Sequence, residues 1–279
     1  MKRQLDKTII DSLIKTDLWI NEIEKDCKSQ NVFFAIRNNQ IDFYYKGGRL
    51  FNFDKFGFKT HLKYASVIKS NGKDYLTEKE LVNYKLASDF DTNYLRIKEN
   101  CSNYSGVESK GVSEIYHKHS YLSNSNVVVL DIEVSFQSID ELDKHDRIDI
   151  LLYNKSKRTL QFVEAKHFSN KEIWSENTPK VVSQVHRYEL QIKHREQDIL
   201  SECIEYVKVL NVIFGLTLPE PIDIENKVTL LIFGFDNDQK NGRLKKLILT
   251  NPIYKGIKNY SIGNVKQIVP ENLWNAKEL

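Results

Sequence analysis

The sequence is poor in cysteine and has no long apolar runs. Cys27, Cys101 and Cys203 are the only three cysteines in 279 residues, far apart and odd in number. None belongs to a Cys-x-x-Cys pair, so the usual zinc and iron–sulfur spacings are excluded, as is a disulfide framework. No run reaches the roughly 20 apolar residues of a membrane span. The opening Met1-Lys2-Arg3-Gln4-Leu5-Asp6 leads into a charged amphipathic segment without the apolar core of a secretory signal. A Gly-x-x-x-x-Gly-Lys loop is missing, which excludes a P-loop motor. Internal repeats and low-complexity tracts are absent too. These absences suit a chain working in a reducing cytoplasm, away from membranes.

What is present describes an ordinary globular protein, 41% hydrophobic and 28% charged, long enough for one large domain or two small ones. The net charge of +3 is unevenly spread. Lys46 to Lys73 carries seven Lys/Arg against the single acid Asp54, and Lys240 to Lys266 carries seven with no acid. The rest of the chain is therefore acidic. Basic blocks apart from an acidic remainder suit a protein that holds a polyanion by its backbone; a solvated, lysine-rich surface is the alternative. Within the first block, Phe51, Phe53, Phe56, Phe58 and Tyr64 interleave with Lys55, Lys59 and Lys63. Such interleaving suits stacking on single-stranded or distorted nucleic acid, although strand alternation sends one set of rings into a core. Arg243, Lys245 and Lys246 are the corresponding candidates in the second block.

The most informative stretch runs from Arg147 to Lys166. Two apolar, β-branched runs flank the polar Asn154–Thr159, which reads as a hairpin turn. A symmetric turn centred between Ser156 and Lys157 places Asp149 directly across from Glu164. Side chains alternate along a strand, so Glu164 and Lys166 share one face, as do Arg147 and Asp149. Two carboxylates and an ammonium thus gather inside runs that otherwise look buried. Charges in such places are paired or bind metal: a hard cation such as Mg²⁺ relieves facing carboxylates, and a cross-strand ion pair is the plainer reading.

Ile148-Asp149 with Glu164-Ala165-Lys166 resembles the half-motifs of the PD-(D/E)XK nuclease superfamily, with Ile148 in place of the proline. Gln184-Val185-His186-Arg187-Tyr188 resembles the Gln-x-x-x-Tyr motif of its RecB-like branch, and residues four apart share a helical face. The resemblance covers roughly residues 105 to 250. It implies that Asp149, Glu164 and the Ala165 carbonyl hold Mg²⁺ or Mn²⁺, and that Lys166 positions the attacking water and steadies charge on the phosphate. Gln184 and Tyr188 would brace the site or contact DNA. The superfamily's opening helix often supplies a further acid; Glu114 is the choice here, with Glu108 its competitor and Glu133 in reserve on the next strand. His117 and His119 read as surface or packing residues.

Along the chain, residues 4 to 25 read as a helix. An antiparallel meander follows through Val32–Arg37, Ile41–Tyr45, Leu50–Phe53 and Phe58–Val67. Thr77 to Asn100 reads as a helical connector and residues 111 to 122 as a helix. Val127–Phe136 is a strand with Asp131, Glu133 and Ser135 on its polar face. Asp140–Asp146 is a charged loop, and His167–Pro179 a loop around Trp174 that suits a mobile substrate contact or a packed ring. Pro179 opens a helix, which runs on through Ile199–Leu210, whole or broken, until Pro219 and Pro221 end it. Val228–Phe235 is a buried strand, and Gln239–Leu249 a short basic segment.

The expected fold is α/β: a restriction-endonuclease-like mixed sheet flanked by helices over residues 105–279, preceded by a smaller, mainly β region over 1–104. The expected function is metal-dependent hydrolysis of phosphodiester bonds, DNA first, by a standalone restriction or phage-defence nuclease acting alone, as a homodimer or in a larger complex. A nuclease-like module that binds nucleic acid or protein without cutting, and a nuclease of RNA, are the other two readings.

Overall fold

Alternation of apolar residues in the first hundred positions dictates strands, and the computed structural model contains them. It describes residues 2–66, 77, 79, 85–136, 147–175 and 177–279. The chain divides into two compact units, Met1–Arg3 with Glu114–Leu279, and Gln4–Ser113.

In the unit of residues 4–113, β1 (Phe33–Arg37), β2 (Gln40–Tyr45), β3 (Gly48–Asp54) and β4 (Gly57–Lys59) form an antiparallel sheet in that order. Lys46 and Gly47, both with positive φ (45° and 84°), make the two-residue turn that joins β2 to β3. Left-handed geometry at both positions matches the twist of the flanking strands. Phe34, Phe43, Phe51 and Phe53 are buried. Trp19 packs its ring near Phe34, and Tyr94 stacks on Phe51.

Several expectations need correction here. The helix read over residues 4–25 is broken: Lys7–Leu13 ends where the Thr16 hydroxyl donates to the Leu13 carbonyl (2.7 Å), and helix resumes as Trp19–Ile23 and Glu24–Lys28. That hydrogen bond gives a helix-end carbonyl its partner locally. The last strand stops at Lys59, and Leu62–Ala65 is a short helix capped by His61. The described helix near the connector is Tyr94–Tyr104. Lys69, Lys73, residues 78 and 80–84 of the connector, and the loop read over Asp140–Asp146 lie outside the described residues.

The larger unit is built on a mixed sheet: β5 (Val127–Ser135), β6 (Arg147–Asn154), β7 (Thr159–His167), β9 (Thr229–Phe233), β10 (Lys258–Ile262) and β11 (Lys277–Glu278), with β8 (Asp223–Ile224) against the start of β7. β5, β6 and β7 are antiparallel neighbours, whereas β9 runs parallel to both β7 and β10. The architecture is α/β, a mixed sheet flanked by helices. Strand β7 is buried from Thr159 to Lys166, with paired neighbours on both sides.

The helices differ from expectation in their ends. The first, Val107–Lys118, starts and stops earlier than 111–122. Lys180–His194 begins one residue after Pro179, and Arg195 (φ −124°) breaks it from Glu196–Phe214. Gly215, at φ 63°, ends the second helix before either proline is reached, because glycine adopts the left-handed cap without a Cβ clash. The basic segment is itself a helix, Lys240–Leu249, of the wide π type, with Thr250 N–H donating five residues back to Lys245. Among the described residues, no helix is long and apolar enough to cross a membrane.

Candidate active site on β6 and β7

The hairpin turn is symmetric. Asn154 pairs with Thr159, and Ile150 with Val163, so the same register carried one step further sets Asp149 level with Glu164. Asn154 Oδ1 shapes the turn by accepting the Lys157 N–H (3.1 Å), and Arg158 takes the left-handed conformation that closes it. Asp149 also reaches across the hairpin: the Ala165 N–H donates to its Oδ2 at 2.8 Å. This fixes the half-buried Asp149 carboxylate against the strand that carries Glu164 and Lys166.

Glu164 is 2% exposed and Lys166 6%. Lys166 Nζ donates to Glu164 Oε1 (2.9 Å) and to Glu172 Oε2 (2.8 Å). Burial by itself would pull the Lys166 ammonium down; Glu164, Glu172 and Asp149 together reverse this and hold it above the ordinary lysine value. Lysine at this position is therefore a fixed charge, suited to electrostatic stabilisation rather than proton transfer near neutral pH. Glu172 is a site residue that sequence reasoning missed. It lies in the single 3₁₀ turn Lys171–Ile173, its N–H held by the Asn170 side chain. Its signal was only that of a further acid soon after Glu-x-Lys.

Gln184 and Tyr188 meet as their spacing implied. Gln184 Nε2 donates to Tyr188 Oη (2.5 Å), and Tyr188 Oη donates to the Arg147 carbonyl (2.8 Å), two residues before Asp149. The buried tyrosine thus ties the helix to the start of β6. A groove of about 500 Å³ lies alongside, lined by Glu172, Thr178, Lys180, Ser183, Gln184 and Arg187. It brings two cations near the carboxylate that holds Lys166.

The acids proposed around this pair differ in placement. Glu114 is 46% exposed at its side chain and faces Lys266 at 3.7 Å, so it does not join Asp149 and Glu164; its helix points it to a basic partner instead. Glu133 sits between the pairs Ile132–Ile150 and Val134–Ile148, hence level with Asp149 on the neighbouring strand. Its φ of 52° is unusual for a strand, and its carboxylate meets Arg147 Nε at 2.6 Å. Asp131 is not exposed with them: it is buried just after a register shift, and Arg3 Nε and Nη2 converge on its Oδ2 at 2.8 and 2.6 Å. His119 is buried with Nε2 at the Ile268 carbonyl (3.1 Å), a packing residue as read. The three thiols are free and buried, and desolvation raises all three, Cys101 to about 12.

The basic blocks fare differently. In the first, Phe51 and Phe53 are core, Phe56 is 76% exposed, and Lys55 and Lys59 both lie over its ring. Lys59 also pairs with Asp54, and Lys63 lies over Tyr104. In the second, Leu244 and Ile248 turn inward, leaving Lys240, Arg243, Lys245 and Lys246 exposed. Arg243 reaches the loop after β7, its guanidinium 4.1 Å from the centre of the Trp174 ring. That loop is tied down: Trp174 Nε1 donates to Phe168 O (2.7 Å) and Tyr254 Oη to Ile173 O (3.0 Å).

The carboxylates of Asp149 and Glu164 and the Ala165 carbonyl make an all-oxygen set. Mg²⁺ is commonly bound by one or two carboxylates with water and phosphate oxygens completing its shell, and this set fits such an ion. Among the described residues, no three His, Cys, Asp or Glu side chains group to hold a metal, so further ligands would come from water or substrate. Comparison with protein-family models, curated proteins and solved structures gives no match.

Proposed function

We propose that the protein is a metal-dependent nuclease that hydrolyses phosphodiester bonds, with DNA as its first candidate substrate. The observation that carries this reading is Asp149 and Glu164 level on adjacent strands, with Lys166 buried beside them and Asp149 anchored on the Ala165 N–H. The order of helix, three antiparallel strands, helices and a parallel strand resembles the superfamily core. Lys180 and Arg187 in the adjoining groove, and the exposed Lys240–Lys246 surface, supply charge for a polyanion.

In this reading Asp149, Glu164 and the Ala165 carbonyl hold Mg²⁺ or Mn²⁺. The ion would supply Lewis-acid polarisation of the phosphate and a more acidic water. Lys166 stabilises the charge that develops on the phosphate as water adds to phosphorus and the P–O bond to the leaving oxygen breaks. Tyr188 and Gln184 hold β6 in place. By family analogy alone, the biological setting proposed is restriction or phage defence in the cytoplasm.

A second reading has its own observation: Lys166 already bridges two carboxylates, as a structural ion network in a non-cutting binding module would. Incubating the purified protein with plasmid, linear DNA and RNA, with and without Mg²⁺, separates the two. Mg²⁺-dependent cleavage that Glu164→Gln abolishes supports the nuclease. Binding with no cleavage under any metal sinks it.

A further inference from the structure

We propose that the cleft beside the loop after β7 binds an unpaired nucleobase, stacked on the Arg243–Trp174 pair, with the adjoining phosphate at Lys171. This deepens the nucleic-acid reading above and rests on it. The cleft measures about 600 Å³ and is lined by Phe168, Ser169, Lys171, Trp174, Gln239 and Arg243. None of these is acidic and two are cations, which suits a phosphate. Phe168 and Ser169 directly follow β7, so the cleft is built on the strand that bears Glu164 and Lys166.

The indole is held in place before any ligand arrives. Its N–H donates to the Phe168 carbonyl, and the Phe168 ring meets it edge-on at 4.6 Å. Tyr254 pins the preceding carbonyl of Ile173. A ring immobilised in advance loses little freedom on binding. Arg243, exposed and planar, lies over one face of that ring, so a base can stack on the guanidinium plane backed by the indole. Bases stack on aromatic rings and on guanidinium planes alike. A base inside a duplex has both faces covered by its neighbours, so the platform takes a base from a single strand or a frayed end.

The test uses the full-length protein in metal-free buffer and two labelled single strands of equal length and charge. One is oligothymidylate, and the other carries a central run of abasic sites. Fluorescence anisotropy should show the parent preferring the base-bearing strand by about tenfold. Trp174→Ala and Arg243→Ala should lose that preference and still bind the abasic strand, whereas Trp174→Phe should retain most of it. Arg243→Ala, at an exposed side chain, keeps the test decisive should Trp174→Ala fail to fold. An unchanged preference in the alanine variants, or none in the parent, overturns the platform. Plasmid cleavage with Mg²⁺ is followed in parallel. A parent that cuts but shows no preference overturns the platform alone; a Trp174-dependent preference without cutting supports it and sinks the nuclease reading.

Discussion

Asp149 and Ala165 are joined across the hairpin, the Asp149 carboxylate accepting the Ala165 N–H at 2.8 Å. The same side chain is therefore a candidate metal ligand and a structural acceptor. Asp149→Asn keeps an acceptor and should fold like the parent while losing Mg²⁺-dependent cleavage. Asp149→Ala leaves a part-buried N–H unpaired and should also lower stability by about 1–3 kcal/mol. Cleavage assays with denaturant melts separate the two roles, and full activity in Asp149→Asn removes it from the ligand set.

Lys166→Ala should lower cleavage by about two to three orders of magnitude, the usual effect of losing one transition-state donor. It also leaves Glu164 buried opposite Glu172 without its cation, a loss of about 3–5 kcal/mol. Lys166→Arg should not rescue fully, because a planar guanidinium cannot occupy a point position. The folded-state value of Lys166 is raised, so its stabilisation is complete below the ordinary 10.5 and is lost only as pH rises through the higher folded value. Parent stability measured between pH 6 and 9 should therefore show no titration from this group. A parent-like cleavage rate in Lys166→Ala would make the lysine purely structural.

Tyr188→Phe removes the hydroxyl that holds the Arg147 carbonyl. A loss of about 1 kcal/mol in stability is expected, with a fall in kcat and little change in DNA affinity, because β6 loses its brace while the charges stay. A weakened Kd with unchanged kcat would instead make Tyr188 a DNA contact.

Replacing Lys240, Arg243, Lys245 and Lys246 together should flatten the salt dependence of duplex binding by about 0.9 per lost phosphate contact. The triple change at Lys55, Lys59 and Lys63 should do less, since Lys59 already pairs with Asp54. A steeper effect from the first block would reverse the assignment.

The hairpin was legible because its turn is polar, its arms are apolar, and register follows from counting outward from Ser156 and Lys157. Gln184 and Tyr188 were legible because four residues is one helical turn. Glu172 was not, since a single 3₁₀ turn leaves no period. Asp131 misled because a polar strand position need not be exposed: it is buried and paired with Arg3. The Arg3–Asp131 pair joins positions too distant in sequence for any local pattern. The helix end at Gly215 was readable, but the two prolines beyond it drew the boundary too far.

The two margins of strand β7 are paired at different times. β6 is next to it in sequence and can pair as soon as the turn forms, whereas β9 follows only after two helices. During synthesis β7 is thus an exposed margin, apolar and open to pairing with other chains, and parallel pairing over such a separation is slow. Inward-pointing charges are a recognised guard on such margins. Glu164 and Lys166 supply them at this position. A Glu164→Leu, Lys166→Leu double variant should refold with a yield that drops as protein concentration rises, beyond the parent's own dependence; equal yields would show that the charges serve the finished site alone.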